Sequence, residues 1–213
     1  SDPRESLARL CLAQMRIHRG VELRGNRRRQ SGRAIDRNPG GAFQIDAALK
    51  LATVGMTREH FEQDLANLKE AEVLAARLVD RPRLSQVLYW LGRLNYGVAK
   101  HDVGIEYAHK ALELADKLGA EALQAPPVNL LGRAHFLRGE AEKASKLLAR
   151  NVRQMRALGN RIEEATASGF LGMCYGMLGR FAQAIEVCDS GIQIAEGIEH
   201  PPTLAACLQY RGQ

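Results

Sequence analysis

This 213-residue sequence has little of what membrane insertion or common catalytic chemistry requires. Its longest apolar runs are far shorter than the roughly 18 residues that cross a bilayer, and its first residues, SDPRESLARL, lack the apolar centre of a secretory signal. The sequence is therefore expected to act in the cytoplasm. Its four cysteines, Cys11, Cys174, Cys188 and Cys207, form no CxxC pair and stand at no ligand spacing to a histidine, which argues against a zinc site or a redox dithiol and leaves reduced, structural thiols. The phosphate loop GxxxxGK[ST] is missing, as are HExxH and GxSxG, so the signatures of an NTPase, a zincin or an α/β-hydrolase are absent. No catalytic residue, cofactor or metal is expected. Aromatic residues make up only 5% of the chain, with a single tryptophan.

Lysine is absent from the first 42 residues, which carry ten arginines against four acids, whereas residues 43–213 have 20 basic and 20 acidic side chains. All of the net charge of +6 thus belongs to this leader, and the balanced body is not expected to bind nucleic acid. The segment GVELRGNRRRQSGRAIDRNPGG has many helix breakers and little apolar periodicity. It reads as a poorly ordered linker, as a segment translated from a displaced start or frame, or as an arm whose Arg24, Arg27, Arg28 and Arg29 contact nucleic acid or an acidic membrane. Nucleic-acid binding through this leader is the alternative function.

What the sequence does contain is repetition. LGRLNY at Leu91 returns forty residues later as LGRAHF at Leu131 and again as LGMCYG at Leu171. A pair returning at constant interval marks a structural unit stacked on copies of itself. The body is helical in pattern: Phe61, Leu65, Leu68, Ala71, Ala75 and Leu78 stand three or four apart. Gly119, Gly139, Gly159 and Gly179, twenty apart, fall where a left-handed residue would end each helix. Pro82, Pro126 with Pro127, and Pro201 with Pro202 are expected near helix starts. Units are drawn at about 45–84, 85–124, 125–164 and 165–204, with a partial fifth over 205–213, so Leu-Gly occupies unit positions 7 and 8. Small residues at positions 8, 20 and 27, such as Gly92, Gly104 and Ala111, let helices approach closely. Asp64 at position 20 weakens the first unit, and His135 at position 11 reads as a core substitution. Glu163 and Glu164 read as carboxylates on a solvated face.

This pattern resembles the tetratricopeptide repeat, which places a large residue, Leu, Gly, Tyr, Ala, Phe and Ala at positions 4, 7, 8, 11, 20, 24 and 27. GRFAQAIEVCDSGIQIAE, residues 179–196, is close to that family's second half-repeat. The pitch is forty rather than thirty-four residues, so the extra residues lengthen either the helices or their links. The resemblance implies an all-α, right-handed solenoid of about four helix pairs and a truncated fifth. FQIDAALKLA, LKEAEVLAARLVDRPRLSQVLYWLG, HKALELADKLG and ARNVRQM further resemble the repeat region of bacterial signalling proteins that join a class III adenylate or guanylate cyclase domain to a P-loop NTPase domain. Catalysis in such a protein belongs to those other domains.

Positions 2, 5, 9, 12 and 13 lie opposite the packing sector, and in the resembled family this side lines the groove that holds peptides. Here it offers Gln86, Tyr89, Arg93 and Tyr96, then Asn129, Arg133, Phe136 and Leu137, then Met173, Gly176 and Met177. The stacked arginines suit carboxylates and the methionines an apolar anchor, so the expected partner is an acidic protein or peptide segment. Alternatively, the arginines pair with Glu106 or Glu140 of their own fold. Self-association through Leu204, Leu208 and Tyr210 is a further expectation.

Overall fold

A computed structural model describes residues 39–54 and 61–212. The leader residues before Pro39, including Arg24, Arg27, Arg28 and Arg29, lie outside these described residues.

Within them the chain forms α-helices and no strand: α1 (Pro39–Val54), α2 (Phe61–Arg77), α3 (Arg81–Gly97), α4 (His101–Leu118), α5 (Glu121–Leu137), α6 (Ala141–Ala157), α7 (Arg161–Met177), α8 (Phe181–Gly197) and α9 (Pro201–Arg211). The first helix begins at Pro39, inside the segment assigned to the leader. Most helices are 17 residues long and their links are short, so the extra length of the forty-residue pitch lies within the helices.

The links share one backbone solution. Gly119, Gly139, Gly159 and Gly179 have φ of 62° to 75°, and Val79, Ala99 and Glu199 take the same left-handed conformation at 58°, 64° and 50°. After each of these residues the next N–H reaches back to a carbonyl five residues earlier, as from Asp80 to Ala75, Lys100 to Asn95 and Asn160 to Met155. That bond closes the Schellman motif, which satisfies carbonyls left open at a helix end. The next helix then starts on a side-chain cap at Asp80, Asn160 and His200.

Two sequence expectations are corrected. Pro126 and Pro127 stand inside α5 rather than at its start, where they remove the helical donors for the carbonyls of Ala122 and Leu123. Glu164 is fully buried rather than solvated. Its carboxylate accepts from Arg156 Nε at 2.8 Å and Arg161 Nη1 at 2.6 Å, tying α6 to α7. A buried carboxylate needs such partners to offset its desolvation.

Sequential helices pack side by side, and the odd-numbered helices also touch one another, α1 on α3, α3 on α5, α5 on α7 and α7 on α9; no such contacts join the described even-numbered helices. The stack therefore curves with the odd helices on its inner, concave side. Small residues set the approach. A Cβ built on Gly92 would stand 3.0 Å from the carbonyl oxygen of Gly104, one on Gly132 2.8 Å from Leu148 Cγ, and one on Gly191 3.1 Å from the Ala165 oxygen. Leu91, Leu131 and Leu171 are buried beside them, so the Leu-Gly pair is a packing device. Further ties repeat across pairs: Ser85 Oγ donates to the Ala111 oxygen at 3.0 Å and Asn151 Nδ2 to the Ala125 oxygen at 2.7 Å. Arg83 joins α1 to α3 through both oxygens of Asp46 at 2.7 and 3.0 Å.

Candidate functional site

The odd helices carry the residues expected on the concave face, and the structure divides them between two cavities. Gln86, Tyr89, Arg93, Asn129 and Arg133 line the first, of about 520 Å³. Phe136, Met173 and Met177 line the second, of about 300 Å³. Tyr96 lines neither. Its ring stands edge-on to His101 at 5.3 Å and lies 5.5 Å from the Arg133 guanidinium.

In the first cavity, Arg93 and Arg133 occupy position 9 of successive units and project from α3 and α5. Among the described residues neither forms an ion pair. The alternative partner Glu140 is engaged elsewhere, with Arg138 at 3.1 Å, Lys143 at 2.7 Å and His135 at 3.1 Å. Arg133 is held by rings instead: its guanidinium carbon lies 4.6 Å from the centroid of Phe170, and its Nε is buried without a hydrogen-bond partner. Cation–π contact fixes such a side chain without neutralising it. Asn129 is partly committed to the fold, donating from Nδ2 to Asn151 Oδ1 at 2.9 Å.

Sequence reasoning missed several lining residues. Lys50 reaches the cavity from α1, Trp90 stands beside Tyr89 and Glu163 enters from α7. Lys50 and Trp90 both hold position 6, outside the sector expected to face the groove. The Tyr89 and Trp90 rings meet edge-on at 5.2 Å. Burial pushes the Tyr89 hydroxyl above the ordinary tyrosine range, Arg93 and Arg133 pull it down, and Glu163 pushes it up. All three charges therefore act on this one hydroxyl. Three cations and one carboxylate line this cavity beside two aromatic rings and several aliphatic side chains, an arrangement suited to an anionic group attached to an apolar body.

The second cavity is apolar. Phe181 and Ile185 of α8 join its wall, and Tyr210 and Arg211 of α9 close one side. Met177, Phe181 and Ile185 are 54%, 68% and 48% exposed, so this end of the groove is open. Among the described residues no group of three or more histidine, cysteine or acidic side chains gathers to hold a metal, and no helix is long and apolar enough to cross a membrane.

Residues 123–197 match the tetratricopeptide repeat family. No curated protein matches the chain. Among solved structures, BtubC (BKLC) from P. vanneervenii is similar at 16% identity and a TM-score of 0.76, covering 100% of this chain and 83% of that one. A signal transduction ATPase with numerous domains from Pyrococcus horikoshii, which carries a tetratricopeptide repeat sensor, is similar at 17% identity and 0.67, over 83% of this chain and 28% of that one. A Rap protein complexed with competence and sporulation factor is similar at 17% identity and 0.66, over 78% and 47%. The chain thus spans less than half of the last two proteins. At these identities the likeness establishes the fold: a tetratricopeptide-like helical solenoid.

Proposed function

We propose that this chain is a non-catalytic protein-interaction module that holds an acidic peptide segment in its concave groove, and that it serves as the regulatory repeat region of a bacterial cyclase-like or NTPase-containing signalling protein. The observation that carries the groove reading is the first cavity, which Arg93 and Arg133 both line while neither forms an ion pair among the described residues. A ligand carboxylate between them gains charge-assisted hydrogen bonds of about 1.5–3 kcal/mol each at a partly desolvated site. Tyr89 and Trp90 supply apolar contact beside it. The signalling context is supported by the sequence resemblance and by the likeness to an ATPase with a repeat sensor.

The test is charge reversal. A fluorescein-labelled glutamate-rich peptide is titrated into the wild type and into Arg93→Glu/Arg133→Glu, with binding read by anisotropy. The proposal expects at least a tenfold loss of affinity in the variant and weakening with salt in the wild type. Equal affinity in two folded proteins would refute it.

A further inference from the structure

The repeats supply their own template for what the second cavity takes. At unit position 12 the groove carries Tyr96, then Phe136, then Gly176. The first two positions are filled by rings that join hydrophobic clusters spanning successive units: Tyr96 packs against the cluster that contains Leu130 and Leu131, and Phe136 meets Phe170 edge-on at 6.1 Å. In the next unit the residue equivalent to Phe170 is Tyr210, which is in place and packs on Phe170 at 4.9 Å. The ring that would meet Tyr210 from position 12 is missing, and the apolar cavity opens there, lined by Gly176, Met173, Met177 and Tyr210.

Packing does not require this glycine. A Cβ on Gly176 would meet nothing within 4 Å, whereas one on Gly172, a turn earlier in α7, would stand 2.2 Å from Cys188 Sγ. Gly176 also lacks the positive φ of the link glycines. A helix glycine costs about 0.5–1 kcal/mol relative to alanine, so the position is left open at some expense to the helix. The adjoining cavity supplies the charge argument. Arg133 and Phe136, three residues apart on α5, line the first and second cavities respectively, and three residues of helix rise about 4.5 Å.

We propose that the second cavity binds an aromatic side chain of the acidic segment held by Arg93 and Arg133, with the ligand's ring taking the place that Tyr96 and Phe136 fill in their own units. This inference rests on the peptide-groove reading and adds the anchor. At about 3.3 Å per extended residue, a rise of about 4.5 Å places the ring within about two residues of the bound carboxylate.

The test uses two peptides, Ac-EEGGFGEE-NH2 and its Phe-to-Ala counterpart, with protein carrying 13C-labelled methionine methyls. The phenylalanine peptide is expected to shift the Met173 and Met177 methyl resonances upfield and to bind about tenfold more tightly than the alanine peptide. In Gly176→Phe, which fills the cavity from within, the two peptides should bind equally. Equal binding to the wild type with unmoved methionine signals overturns the anchor while leaving the groove standing. Phenylalanine-peptide binding and shifts that persist in Arg93→Glu/Arg133→Glu overturn the acidic-groove reading and keep the anchor. Failure of both peptides to bind overturns both. Methionine shifts that follow protein concentration without peptide assign the cavity to a second copy and also overturn the proposal.

Discussion

Gly172 and Gly176 lie one turn apart on α7, and replacing each with alanine adds the same methyl to opposite environments. At Gly172 the new Cβ would stand 2.2 Å from Cys188 Sγ and 3.1 Å from the Ala184 carbonyl oxygen. Cys188 is only 3% exposed, so its thiol has little room to turn away. The carbonyl belongs to α8 and moves only with that helix. Overpacking of this kind costs about 1–3 kcal/mol, against a gain of about 1 kcal/mol from alanine's helix propensity, so Gly172→Ala should lose up to about 2 kcal/mol. Gly176→Ala meets nothing within 4 Å and should gain about 0.5–1 kcal/mol. Propensity largely cancels between the two, so the difference isolates the helix–helix contact at about 1–3 kcal/mol. For a chain of this length that corresponds to about 2–4 °C in Tm per kcal/mol. Circular dichroism at 222 nm, followed through heat and urea denaturation, reads it. Equal shifts for the two variants, or a stabilised Gly172→Ala, would refute the close-contact reasoning.

Val79 tests the links. It holds a φ of 58° while 71% exposed, at the position where Gly119, Gly139, Gly159 and Gly179 stand elsewhere. The left-handed conformation costs an L-residue about 1–2 kcal/mol, and glycine returns part of that through the freedom of the unfolded chain; Val79→Gly should stabilise by about 0.5–1 kcal/mol in urea melts, and Gly139→Val should destabilise. Cys174 tests burial: it has no exposed surface and burial pushes its thiol up to about 12 from 9.0, so at pH 8 a disulfide reagent should label it only on unfolding, since the thiolate is the reactive form. The sign of linkage follows, because the unfolded thiol ionises first: the contribution to stability is full below pH 9.0 and declines as pH rises toward about 12. Rapid labelling of native Cys174 would contradict this.

The fold was legible because its cause is periodic. Leu-Gly every forty residues and glycine every twenty report close packing and helix ends directly, and both act through local geometry that a single sequence displays. The misses have local causes too. Val79, Ala99 and Glu199 fill left-handed positions without glycine's signature, although the twenty-residue interval marked them. Pro126 and Pro127 suggested a helix start, yet a turn and more of α5 precedes them. Glu164 looked like its neighbour Glu163, and its burial is met by Arg161 on its own helix together with Arg156, which arrives from α6. In the candidate site, helix position placed Gln86, Tyr89, Arg93, Asn129 and Arg133 on one side of the stack, and all five line one cavity. It did not show that Lys50 and Trp90, at position 6 of their units, join them. Nor did the wheel show that Phe136 belongs with Met173 and Met177 in a separate apolar cavity.

The central functional claim is that the arginine pair recognises carboxylates, and the groove carries its own reporter. Trp90, the chain's one tryptophan, lines the same cavity as Arg93 and Arg133. Its emission should therefore change when a glutamate-rich peptide is added to the wild type, stay unchanged with the glutamine counterpart, and lose its response in Arg93→Glu/Arg133→Glu. An equal response to the glutamate and glutamine peptides, or a response that survives charge reversal, would contradict the account.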